Sequence, residues 1–197
     1  MQASGAKLLI VDHEAPIRMS LSAALDEVGY NVRTAEDGFS ALAEMRRDIP
    51  DVVVAELELP RMSGFELLSV VRRRFPAIRA IAMSGSFSGD DVPPGVVADA
   101  FYDRGSHPGL LFRIVKAMTQ SPRGAALDRP STMAPIWIPR NGHDPAGQPY
   151  VMVTCTECLR IFPQALGKRL NGIHQASCVH CSSPLQYAIV QPQNATV

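Results

Sequence analysis

Apolar and polar positions along the first 120 residues fall into two alternating periodicities. Lys7–Val11, Tyr30–Ala35, Val52–Ala55, Ile78–Met83 and Ala100–Asp103 are short, strand-length runs. Between them apolar residues recur every three or four positions: Ile17, Leu21, Leu25 and Val28; Leu42 and Met45; Leu68 and Val71; then Leu111, Ile114, Val115 and Met118. Val52–Ala55 is continuously apolar, as expected of a strand covered on both faces. The punctuation agrees with this reading. Pro16 suits a first helical turn and Gly29 a helix stop. Asp37 and Ser63 are placed to cap helices ending near Asp48 and Phe75, and a last helix runs from about Pro108 to Thr119. Strands alternating with helices predict right-handed crossovers and an α/β fold, a doubly wound five-stranded parallel sheet. The helix due between Ser84 and Ala100 is broken by Pro93, Pro94 and Gly95. Each proline costs about 3 kcal/mol in a helix interior, so a loop is expected there.

The pattern then stops. Residues 121–149 carry six prolines and three glycines with little periodicity, the composition of a semi-extended linker. Ile136, Trp137 and Ile138 form an apolar island inside it, which either docks on the rest of the chain or engages a partner. From residue 150 to 190 a small β-rich module is expected, with strands at Tyr150–Val153 and Leu185–Val190 and a tail over 191–197. The organisation is thus a domain over 1–120, a linker, and a module of about 40 residues, too small for a large core.

All four cysteines lie in that module, as Cys155-Thr-Glu-Cys158 and Cys178-Val-His-Cys181 with nineteen residues between the pairs. The spacing fits a zinc ribbon, two tight knuckles giving four thiolates to one structural Zn²⁺. A rubredoxin-like iron site uses the same ligands but usually has glycine after each knuckle, where Leu159 and Ser182 stand here. A disulfide or redox role is a further alternative. His174 and His180 are read as neighbours of the site, not as ligands. A closed four-cysteine site leaves no open position for catalysis.

Charge changes the picture little. The net formal charge is zero; residues 1–119 hold 13 basic against 16 acidic side chains and the remainder 6 against 3. Neither imbalance points to nucleic acid or a membrane. Arg72, Arg73 and Arg74 end a helix and suit its negative pole, while Arg160, Lys168 and Arg169 make the module only mildly basic. The N-terminus lacks the apolar length of a signal peptide, and no run approaches the roughly 20 residues that span a bilayer. A cytoplasmic location is expected.

One stretch carries a resemblance. In DVVVAELELPRMSGFELL, Asp51 to Leu68, an apolar strand ends in an acid, followed by Leu, Pro, Met, Ser and Gly at fixed offsets. This resembles the phosphorylation loop of response-regulator receiver domains, and the likeness extends over residues 7–119. It implies a CheY-like fold and a site at the C-terminal ends of the strands. In that family two acids, an acceptor aspartate and a carbonyl hold Mg²⁺, and a lysine and a hydroxyl meet the phosphoryl group. By this resemblance Asp12 matches the first acid, His13 replaces the second, and Glu14 is a neighbouring substitute. Glu56 stands at the phospho-acceptor position, Ser84 at the hydroxyl, Phe101 at the aromatic switch and Arg104 at the lysine, with Gly105 for the usual proline. Imidazole is a poor ligand for Mg²⁺, which weighs against that ion here.

These departures fall on the chemistry and spare the scaffold. They imply a degenerate pseudo-receiver, an atypical response regulator of a two-component-type network that binds protein partners, a histidine kinase or another signalling protein, independently of phosphorylation. It is not expected to be an enzyme. Glu56 either reaches toward Ser84 and Arg104 in imitation of a phosphorylated acceptor, or simply pairs with Arg104. The alternatives are a working phospho-switch and a nucleic-acid-binding regulator acting through the ribbon.

Overall fold

The computed structural model describes residues 5–88, 92, 96–120, 136–139, 142–167 and 172–190. Its first domain runs β1 (Lys7–Val11), α1 (Ala15–Glu27), β2 (Asn31–Ala35), α2 (Gly38–Arg47), β3 (Val52–Glu56), α3 (Gly64–Arg74), β4 (Arg79–Ser84), β5 (Ala100–Asp103) and α4 (Pro108–Gln120). All neighbouring strands are parallel, in the order β2-β1-β3-β4-β5. This is the doubly wound α/β sheet that the alternation of periods predicts. β3 and β4 are buried at every residue, as their central positions require. Between Ser84 and Ala100 none of the described residues is helical. Phe87 of that segment packs edge-on against Phe65, ring centroids 5.9 Å apart, and the Asp99 carboxylate accepts the Ala80 N–H at 2.9 Å and pairs with Arg72.

Cap chemistry agrees with the sequence. Asp37 accepts from Ser40 N at the start of α2 and Ser63 from Glu66 N at the start of α3. Gly64 is required by close approach: a Cβ there would lie 2.0 Å from the Glu56 carbonyl oxygen. That contact seats the loop following β3 directly on the end of its own strand.

The second domain holds β6 (Ile136–Pro139), β7 (Gly142–His143), β8 (Pro149–Thr154), β9 (Ile161–Ala165), β10 (Ile173–Ser177) and β11 (Pro184–Val190). They form two three-stranded sheets, β10-β11-β6 and β7-β8-β9. Ile136, Ile138, Val151, Val153, Phe162, Leu185 and Tyr187 make their core together with Cys155 and Cys178. The stretch read as linker therefore contributes two strands. Ile136–Pro139 pairs in parallel with Tyr187–Val190, and Ile136 and Ile138 are fully buried. A strand of four residues ending in proline is too short to declare a period. Residues 121–135, 140–141 and the expected tail, 191–197, lie outside the described residues.

The two domains share an interface. β6 lies against α3, and nine consecutive residues of that helix, Gly64 to Arg72, are buried, including Glu66, Ser69 and Arg72. An amphipathic helix on one side of a sheet keeps a wet face; here the second domain covers it. No helix among the described residues is long and apolar enough to cross a membrane.

Candidate functional site

At the C-terminal ends of β1, β3 and β5 three carboxylates converge on one guanidinium. Arg104 follows β5, and its Nη1 lies 2.7 Å from Glu14 Oε1 and 3.3 Å from Asp12 Oδ2, while its Nε lies 3.2 Å from Glu56 Oε2. Asp12 and Glu56 are fully buried. Gly85 allows this placement, since a Cβ there would sit 2.9 Å from Arg104 Nη2. The other Glu56 oxygen, Oε1, accepts N–H bonds from Leu57 at 3.0 Å and Glu58 at 3.3 Å. Oε2 has no hydrogen bond, so its contact with Arg104 is one of charge and proximity. Burial pushes the Glu56 carboxyl above its usual range; the Glu58 and Leu57 N–H groups and Arg104 oppose this, and the Asp12 charge adds to it.

The remaining receiver-like positions are placed as follows. Asp12 Oδ1 accepts from Glu14 N at 2.8 Å, which turns the chain so that Glu14 reaches Arg104. His13 is exposed, its Nδ1 3.9 Å from Asp12 Oδ1. Ser84 Oγ accepts from Ser86 N at 3.0 Å and Phe87 N at 3.2 Å, and so fastens the loop after β4; it makes no bond to Glu56. Phe101 is half-buried against the core on the α2 and α3 side of the sheet. The structure thus brings Asp12, Glu14, Glu56 and Arg104 into one cluster and leaves His13, Ser84 and Phe101 around it.

The four cysteines form a second site, their sulfurs all within 4.8 Å of one another. Cys155 and Cys181 sulfurs are 3.6 Å apart, and those of Cys158 and Cys178 are 3.7 Å apart. Thiolates held at about 2.3 Å around a tetrahedral cation lie about 3.8 Å from each other, so the spacing fits such an ion. The two knuckles repeat one backbone pattern. Leu159 N donates to Cys155 O and Ser182 N to Cys178 O; Glu157 N and His180 N donate to the first sulfur of each. Leu159 and Ser182 both take positive φ, 57° and 60°, the conformation that glycine adopts more cheaply. Neither histidine joins the cluster. His180 Nε2 lies 3.1 Å from the Ile161 carbonyl, and His174 stacks on Tyr187.

Glu66 is the residue that sequence reasoning passed over. It is 3% exposed, and its Oε1 accepts the N–H of Thr154, at the end of β8, at 2.9 Å. Burial raises its pKa to about 7, against the lowering effect of the Thr154 bonds. Ser63-x-x-Glu66 is a capping-box pattern, which predicts a carboxylate folded back on its own helix. Here the serine half of the box forms, but the glutamate reaches across to the other domain.

A doubly wound sheet with acids at the β1 and β3 ends and a cation after β5 fits the receiver layout that the sequence resembles. Residues 8–102, just under half of the chain, match the response regulator receiver domain. The Mycobacterium tuberculosis "Probable transcriptional regulatory protein TcrX" is 37% identical over 91 residues, 46% of this chain and 39% of that protein. A protein-glutamate methylesterase/protein-glutamine glutaminase of Anaeromyxobacter dehalogenans is 28% identical over 186 residues, 81% of this chain and 52% of that protein. The chain thus spans less than two thirds of both relatives. The chemotaxis response regulator CheY4 of Vibrio cholerae superposes with a TM-score of 0.54 at 28% identity, covering 58% of this chain and 99% of that one.

Proposed function

We propose that this protein is an atypical response regulator whose pocket is closed by its own arginine and which works as a protein-interaction module without phosphoryl transfer. The observation that carries the reading is the position of Arg104, whose guanidinium lies within 3.3 Å of Asp12, Glu14 and Glu56 and stands between them. A divalent cation in such a pocket would need those same carboxylates as ligands. The guanidinium stands among them, so a bridging cation has to displace it first. Glu56 has one oxygen committed to backbone N–H groups and the other beside Arg104, so the carboxylate is not presented to a phosphodonor. Of the two readings of Glu56, pairing with Arg104 is the one this geometry favours, because Ser84 is engaged with its own loop.

The cysteine site is read as a structural Zn²⁺ site held by Cys155, Cys158, Cys178 and Cys181. Its chemistry would be that of a closed tetrahedral cross-link, contributing folding free energy. The work of the chain is then recognition rather than catalysis, in the cytoplasm, with a signalling protein as partner.

The test uses Mg²⁺ and a small-molecule phosphodonor with the native protein and with Glu56→Asp and Glu56→Asp/Arg104→Lys, followed by intact mass. No adduct on the native protein is expected, and an adduct on the double variant would identify the two blocking residues. A phosphoryl adduct on the native chain refutes the proposal.

A further inference from the structure

The first cysteine knuckle is in contact with the receiver on three sides. Thr154, immediately before Cys155, donates its N–H to Glu66. Glu157, inside the knuckle, lies 3.6 Å from Arg74 at the end of α3. Leu159, the first residue after Cys158, packs against the receiver core. Thr154 and Thr156 are 1% and 2% exposed, so the Thr154 end of the seam is dry, while the Arg74–Glu157 pair at its edge is open to water. The second knuckle faces outward, with Val179 69% exposed and His180 and Cys181 exposed. One pair of thiols is therefore seated on α3, and the other is carried by the β10–β11 hairpin.

The Thr154 N–H ends a strand and is buried; without an acceptor it would be an orphaned donor. Glu66 is that acceptor, and it comes from the receiver. The bond fixes the backbone that delivers Cys155. Groups that orient a metal ligand typically change metal affinity 10- to 100-fold when removed.

We propose that Glu66 is a positioning residue for the thiolate site. The receiver helix α3 holds the first knuckle ready for a thiophilic cation, so that cation occupancy and the integrity of α3 are coupled. The inference rests on the metal reading given above. Coupling of this kind is reciprocal: whatever loosens α3 weakens cation binding, and loss of the cation loosens α3.

The experiment uses the full chain and Zn²⁺. Affinity is read by competition with a chromogenic chelator, and the stability of α3 by hydrogen exchange of peptides covering residues 64–74 with and without chelator. Chelation is expected to speed exchange in α3 about tenfold or more. Glu66→Ala is expected to weaken Zn²⁺ binding roughly tenfold, while Glu66→Gln, which keeps an acceptor oxygen, stays within about threefold of the native protein. If Zn²⁺ binds but chelation leaves α3 unchanged and Glu66→Ala binds as the native chain does, the coupling is wrong and the metal site stands. If the native chain binds no Zn²⁺, the metal reading itself fails and takes the coupling with it. The native exchange measurement decides the matter should Glu66→Ala not fold.

Discussion

Arg104 Nε stands 3.2 Å from Glu56 Oε2 without a hydrogen bond between them, while Nη1 of the same guanidinium bonds Glu14. The arginine is thus anchored by an outer carboxylate and leans its charge on an inner one. Removing it leaves Asp12 and Glu56 buried with uncompensated charge. Arg104→Ala is expected to lose about 2 kcal/mol, below the roughly 3–5 kcal/mol of fully buried pairs because Arg104 is itself partly solvated. Added Mg²⁺ should restore part of the lost Tm in that variant and none in the native protein. A thermal melt series with and without Mg²⁺ measures both.

Glu66 gives a pH dependence with a definite sign. Its carboxyl titrates near 7 in the fold against an ordinary value of 4.5, so the folded state holds the extra proton between these values. Stability from this group is fully present below about pH 4.5 and is lost as pH rises through 7. Glu66→Gln cannot ionise and keeps the acceptor. Its stability relative to the native chain should therefore climb from pH 5 to pH 8, by on the order of 3 kcal/mol at most. Denaturant melts of both proteins across that range show it; a flat difference would contradict the buried titration.

The loop after β3 tolerates no side chain at its turn into α3. Gly64→Ala must move the Glu56 carbonyl or unseat the loop, and is expected to cost several kcal/mol, above the usual 1–3 of overpacking. Gly5→Ala, where nothing lies within 4 Å, is the matched control. Chemical unfolding of the two variants makes the comparison.

Cys178→Ser should remove Zn²⁺ and the ordered exchange protection of residues 150–190 while the central strands β3 and β4 stay protected. The ribbon core is small and includes two of the thiols themselves, whereas β3 and β4 are buried along their whole length. Metal content and hydrogen exchange on one sample test this.

The sheet was legible because its strands and helices have unlike periods and sharp stops: Gly29, Asp37 and Ser63 each fall at an element boundary. Asp12, Glu56 and Arg104 stand in the sequence at the ends of three predicted strands, and the structure brings their side chains together; most of the partnerships around them were not legible. Nothing in a one-dimensional pattern says that Arg104 reaches Glu14, or that Ser84 turns to Ser86 and Phe87. The knuckles were plain from spacing. Ile136–Pro139 was not recognised as a strand because its partner, Tyr187–Val190, lies some fifty residues away and a parallel pair leaves no turn signature. Glu66 was hidden for a related reason: its partner, Thr154, lies 88 residues away.

The all-round burial of α3 bears on how this molecule can be taken apart. A chain ended after residue 120 would bare Glu66 without Thr154 and Ser69 on a surface built to be dry. Such a fragment would be a different object from the receiver within the intact protein, prone to pair with itself or with unrelated proteins. A partner captured with the fragment alone would have to be captured again with the whole chain before it could be counted as genuine.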